Sequence, residues 1–132
     1  NPEFEEGALH IAMISVEMSR KGESGDPTAR AEAHFQQAVS LSQGLQAAPY
    51  VAFAEAVCVQ TQDRERFRTL LNKALAIDPD AQPSVRLANL VLQNRARWLL
   101  QQEDDLFFAG NPPRNQYASL VTPMIFSGYW SR

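Results

Sequence analysis

Residues Pro49 to Pro79 read PYVAFAEAVCVQTQDRERFRTLLNKALAIDP. Between Tyr50 and Val59 the only charged residue is Glu55, set among Val51, Ala52, Phe53, Ala54, Ala56, Val57, Cys58 and Val59. A helix that is apolar almost all round is a buried one. The second half opens at Asp63, a good N-cap, and repeats Phe67, Leu70, Leu71, Ala74 and Leu75 at three- and four-residue steps until Asp78-Pro79 stops it. The two halves predict an antiparallel helical hairpin whose inner helix is covered on several sides by other helices.

The hairpin has an upstream echo. Ala31, Phe35, Ala38 and Val39 precede Phe67, Leu71, Ala74 and Leu75 by a constant 36 residues. That spacing is close to the roughly 34-residue period of tetratricopeptide (TPR) repeats, in which small and aromatic residues let the paired helices lie close together. Before this echo, Pro2 starts a first helix running to about Arg20 with Asn1 as its cap, and Glu3, Glu5 and Glu6 lie where the helix dipole favours acids. On it Leu9, Ala12, Met13 and Val16 are expected to form the packing face, with Ile11, Ile14 and Met18 widening it. Asp26-Pro27 then caps and starts a second helix, which Gly44 closes.

Beyond the hairpin, Pro83 opens the longest helix, predicted to end near Leu106 or Phe107. Val85, Ala88, Leu92, Ala96, Leu99 and Leu100 are expected to face inward, with Arg86, Asn89, Gln93 and Arg97 as a polar strip. Arg64, Glu65, Arg66 and Arg68 are assigned to the solvent side of the preceding helix. From Ala109-Gly110-Asn111-Pro112-Pro113 onward no helical period persists. The expected architecture is therefore all-α: about five helices in antiparallel hairpins, stacked as a TPR-like right-handed superhelix over residues 1–107. Residues 108–132 are expected to form an irregular tail, extended, disordered or laid in a groove of its own or a neighbouring molecule.

Composition narrows the function. A chain of 132 residues with 45% apolar content is one domain's worth. A formal charge of −3 argues against nucleic acid as a partner, since that affinity is carried by clustered Lys and Arg. Cys58 has no second cysteine to pair with and reads as a small buried hydrophobe. No apolar run reaches the roughly 18 to 20 residues that span a bilayer, and the opening residues lack the pattern of a signal peptide. The chain is expected to be a piece of a longer protein. His10 and His34 stand on different helices without metal-ligand spacing, and no phosphate loop, nucleophile elbow or HExxH motif occurs. The expectation is a non-enzyme with no cofactor and no metal. Glu103-Asp104-Asp105 reads as a solvated helix end, unfavourably placed because acids near a C-terminus oppose the dipole.

The run from Gly25 to Gly44 and the run from Pro49 to Phe107 together resemble a known family. Gly25-Asp26-Pro27, Ala54-Glu55, Gln62-Asp63, Leu70-Leu71, Asp78-Pro79-Asp80, Arg86-Leu87-Ala88-Asn89 and Arg95-Ala96-Arg97-Trp98-Leu99-Leu100, ending in Asp105-Leu106-Phe107, are similar in order and spacing to that family's motifs. It is the T component of tripartite ATP-independent periplasmic (TRAP) transporters, a TPR-like lipoprotein family. The lipid-anchor cysteine and the earlier helices of the family have no match here, nor does the tail after Phe108 have a counterpart in it. The resemblance implies a periplasmic accessory subunit held to the membrane by an N-terminal lipid anchor outside this chain. It also implies a homotrimer, association with the solute-binding P component, and an apolar channel for hydrophobic or carboxylated ligands.

Six residues are candidates for that channel, expected between the buried helix and the long helix: Tyr50, Phe53, Glu55, Arg86, Asn89 and Trp98. Each has a plain structural alternative. The aromatics fit a core, and a carboxylate on a buried helix has to be paired, with Arg86 or Asn89 as its expected partner. A generic TPR scaffold gripping a peptide segment is the competing functional reading.

Overall fold

The computed structural model describes residues 2–20, 22 and 24–107, and every regular element among them is helical. Two compact units divide the chain, Asn1–Leu100 and Gln101–Arg132. The expected tail, 108–132, and the Asn1 cap lie outside the described residues.

Helix α1 spans Pro2–Ser19 and α2 spans Pro27–Ser42. The Asp26 carboxylate accepts a hydrogen bond from the Thr28 N–H at 2.9 Å, so the cap read in the sequence forms. At the other end Gln43 and Gly44 take left-handed conformations, with φ of 55° and 72°, and Gln43 N–H closes onto the Ser40 carbonyl. The two helices run antiparallel: Gly7 lies opposite Leu41, His10 opposite His34 and Glu17 opposite Arg30. The expected packing face of α1 is thereby corrected. Leu9 is 60% exposed and Val16 41%, whereas Ile14, expected at the edge of that face, is buried, and so is Glu17. The true contact line contains a glycine, a histidine and a glutamate, residue types that hydrophobicity alone discounts.

Arg30 Nε donates to Glu17 at 2.6 Å and Arg20 donates to it at 3.0 Å. The hydrogen bond from Arg30 is the main cause holding the Glu17 carboxyl below its usual 4.5, with the charges of Arg20, Arg30 and His34 acting the same way against desolvation. A carboxyl lowered by folding contributes stability that is present above its unfolded value and is lost as pH falls through the folded one. Thermal melts between pH 3 and 7 are expected to fall more steeply below pH 4.5 for the wild type than for Glu17→Gln; parallel curves would remove Glu17 from the acid response.

The predicted buried helix forms as one continuous rod: α3 over Ala48–Phe53, a π-helical turn over Ala54–Cys58, and α4 over Val59–Thr61. Val51, Phe53, Ala54, Val57 and Cys58 are buried. Burial, with the nearby charge of Asp63 adding to it, pushes the Cys58 thiol up to about 12, so it behaves as the inert hydrophobe expected of it. Gln62, at φ 60°, ends the rod. Asp63 then caps α5 (Arg64–Ala76) by accepting from the Arg66 N–H at 3.2 Å.

Phe67, Leu70, Leu71 and Ala74 are buried along α5, and Ala31, Phe35 and Ala38 along α2, so the 36-residue echo is also an echo of burial. Arg66 departs from its expected solvent position. It is half-buried, donates to Glu32 at 2.8 Å, and lays its guanidinium 4.5 Å from the centre of the Phe53 ring. Phe53 in turn meets Phe35 with ring centroids 4.8 Å apart.

A 3-10 turn over Pro83–Val85 leads into α6 (Arg86–Gln101), and after a break at Gln102 comes the short α7 (Glu103–Leu106). The predicted single long helix is thus interrupted. Glu103, Asp104 and Asp105 fall in the first turn of α7, where the dipole favours acids rather than opposing them. On α6 the buried residues are Asn89, Gln93, Ala96 and Leu99, with Val85 just before; Ala88 is exposed. The predicted polar strip is split accordingly, Arg86 and Arg97 outward, Asn89 and Gln93 inward. Gln93 donates to the Ala74 and Ile77 carbonyls at 3.0 and 2.8 Å, reaching the end of α5, where the regular ladder of backbone hydrogen bonds runs out. Asn89 accepts from the Ala47 N–H at 2.8 Å and donates to the Leu45 carbonyl at 2.9 Å. Buried backbone groups need partners, and that need sets the rotation of α6.

Candidate functional site

Ala48, Ala52 and Ala56 recur at four-residue steps along the rod, one above another on a single face. Their short side chains leave a slot between α1, which contributes Ile11 and Ser15, and α6, which contributes Leu92 and Arg95. Val51 and Glu55 complete the lining of a groove of about 690 Å³. The size falls within the roughly 300–1,000 Å³ of ordinary ligand pockets, and an apolar lining with few polar groups is their usual character. The π-helical turn forms part of the wall, and such turns occur frequently at functional sites.

The polar feature of the groove is an ion pair. Arg95 donates from Nε and from a terminal nitrogen to the two carboxylate oxygens of Glu55. Both side chains are about two-fifths exposed, at 44% and 40%, so the pair sits in solvent and is worth only about 0 to 1 kcal/mol. Its hydrogen bonding to Glu55 raises the Arg95 guanidinium further above its usual range. The Arg95 guanidinium also lies 4.6 Å from the centre of the Trp98 ring. Glu55 is part-exposed rather than buried, and its partner is Arg95, not Arg86 or Asn89.

Of the six residues chosen from sequence, Glu55 alone lines this groove. Tyr50 meets Phe35 edge-on at 5.8 Å, and Phe53 is wholly buried against Phe35 under Arg66. Arg86 bonds Asp80 at 2.6 Å on the surface. Asn89 holds the loop between α2 and α3, and Trp98 is 47% exposed outside the lining. The signal that could have found the groove was the four-residue alanine step. Arg95 was legible only as part of a motif, 40 residues from its partner.

A second groove of about 390 Å³ shares Ile11 but is lined largely by polar groups, among them Glu3, Gln43, Gln46, Gln82 and Ser84. Among the described residues no group of three His, Cys, Asp or Glu could hold a metal ion, and no helix is long and apolar enough to cross a membrane.

Comparison with known proteins supplies context for this geometry. The profile of one family, described as TRAP transporter T-component, matches residues 1–107. An uncharacterized protein of Treponema pallidum (strain Nichols) is 27% identical over 106 residues, which make up 80% of this chain and 33% of that protein. The chain thus spans about a third of the length of that relative. No solved structure matches.

Proposed function

The chain belongs to the TRAP transporter T-component family, and from that premise we propose that it acts as a periplasmic accessory subunit that docks the solute-binding P component and passes an apolar or carboxylated ligand along the α1–α6 groove. The observation that carries the ligand half is the groove itself, floored by Ala48, Ala52 and Ala56, with the Glu55–Arg95 pair as its one charged feature. An apolar tail fits the alanine floor, and a carboxylate can take the place of Glu55 on Arg95. The same reading includes a TPR-like stack, to which the repeated burial pattern of α2 and α5 lends support. It also includes a homotrimer and a lipid anchor on a longer polypeptide, both of which rest on the family alone.

Docking is assigned to the outer face of α6. Leu87 is 74% exposed, Val91 57% and Trp98 47%, at spacings of four and seven residues that put them on one side of the helix. Exposed apolar groups gathered in this way mark interaction surfaces, and a Trp flanked by aliphatic residues is a common anchor. The test is co-purification of the full-length protein from native membranes. Recovery of a solute-binding protein is expected, and Leu87→Glu with Val91→Glu should lower it at least about tenfold, the equivalent of about 1.4 kcal/mol. Recovery of an unrelated peptide-bearing partner instead would favour a general scaffold.

A further inference from the structure

The two grooves meet at one side chain. Ile11, partly buried, lines both the α1–α6 groove and the smaller polar one. One turn to either side of it on α1 stand Gly7, which lines the polar groove, and Ser15, which lines the apolar one. Residues four apart lie one above another on a helix, so this wall presents a small, a bulky and a small group in succession over the alanine floor. We propose that Ile11 is the end stop of the α1–α6 groove and fixes the length of the acyl chain that the groove holds.

This stop presupposes the ligand reading of the groove and limits what the groove admits. Ser15 of α1 and Ala56 of the rod, beside the Glu55–Arg95 pair, mark one end. Ile11 and Ala48 mark the other, because Gly7 and Gln46, a turn or less further back along the same two elements of chain, already belong to the polar groove. A carboxylate held on Arg95 therefore sends its tail toward Ile11. The step from Ala48 to Ala56 rises about 12 Å at roughly 1.5 Å per residue. An extended chain of single bonds, advancing about 1.2 Å per bond as an extended backbone does, covers that distance in roughly ten bonds.

Two properties make Ile11 a fixed stop rather than a swinging gate. Its β-branched side chain keeps one strongly preferred rotamer in a helix, so it does not turn aside for an incoming methyl group. Past it the surroundings turn polar, with the carboxamides of Gln43, Gln46 and Gln82 and the hydroxyl of Ser84. Gln82 Oε1 is buried and finds no hydrogen-bond partner among the described residues. An acceptor in that position is costly to leave unpaired, and a methylene laid against it offers no donor. Directly behind Ile11, however, Gly7 lies against Leu41, with Ala38 in the same lining. Trimming Ile11 thus opens a short apolar extension before the polar groups are reached.

The test measures displacement of a fluorescent fatty acid from the full chain by saturated straight-chain acids of about eight to sixteen carbons, which bracket the roughly ten bonds of the groove. For the wild type, affinity should climb about fourfold per added carbon, the equivalent of about 0.8 kcal/mol, and then level off or fall. Ile11→Ala removes three carbons and should move that break about two to three carbons further. An acid two carbons past the wild-type break should then bind about tenfold tighter to the variant. Ile11→Val removes one carbon and should move the break by one, and it keeps the comparison if Ile11→Ala does not fold. A merely structural Ile11 would shift the affinities of all lengths together. Acids that bind with the same break in the wild type and the variants overturn the stop and leave the ligand reading standing; failure of every acid to bind overturns both.

Discussion

Asn89→Ala is expected to lower the stability of the protein by about 2 to 4 kcal/mol, on the order of 10 °C or more in melting temperature. The side chain is 2% exposed and serves two backbone groups at once, the Ala47 N–H and the Leu45 carbonyl. Its truncation leaves a donor and an acceptor without partners, and each buried group stranded in this way costs about 1 to 3 kcal/mol. A water entering the vacated space would recover part of that loss, which sets the lower bound. Asn89→Asp should fare no better, because a carboxylate can accept from Ala47 but places a charge against the Leu45 carbonyl. Chemical denaturation of both variants checks the effect, with apolar-probe binding to the remaining folded protein as the companion measurement. Binding should survive, since Asn89 does not line the groove. Unchanged stability with altered binding would return Asn89 to the channel role that its place on α6 first suggested.

The contrast between those roles marks where sequence reading succeeded and where it stopped. The caps at Asp26 and Asp63, the three- and four-residue steps of α5 and the apolar run of the rod are local signals, and each produced the element it promised. The rotation of α6 is not local. It depends on carbonyls at Ala74 and Ile77 and on the backbone at Leu45 and Ala47, which become neighbours of Gln93 and Asn89 only when the chain has folded. Hydropathy grouped those two with Arg86 and Arg97 in one polar strip, and their burial leaves Leu87, Val91 and Trp98 at the surface. The error in Glu55's partner has the same origin, because the true orientation of α6 brings Arg95 to Glu55 and carries Arg86 to Asp80. The π-helical turn was equally hidden, since its residues are helical by every propensity and differ only in the register of their hydrogen bonds.

Ala52→Phe is expected to weaken binding of a fluorescent medium-chain fatty acid at least about tenfold, while leaving the melting temperature within a few degrees of the wild type. Ala52 is the middle of the three alanines that floor the groove and is only partly buried, so a ring built there projects into open space. Overpacking a filled core costs about 1 to 3 kcal/mol, but an open slot takes the added atoms with less strain. The ring would occupy the place of the ligand's apolar tail, and each methylene displaced forfeits roughly 0.8 kcal/mol of burial. Loss of two of them is already more than a factor of ten in affinity. Ala56→Leu, one turn further along, should reduce binding to a smaller degree because it narrows the same slot at one end. Arg95→Gln separates the tail from the head: it should weaken the fatty acid while sparing the matching alcohol, whose uncharged hydroxyl has no call on a guanidinium. If the two floor substitutions leave both ligands bound as tightly as before, the groove between α1 and α6 is not where they sit.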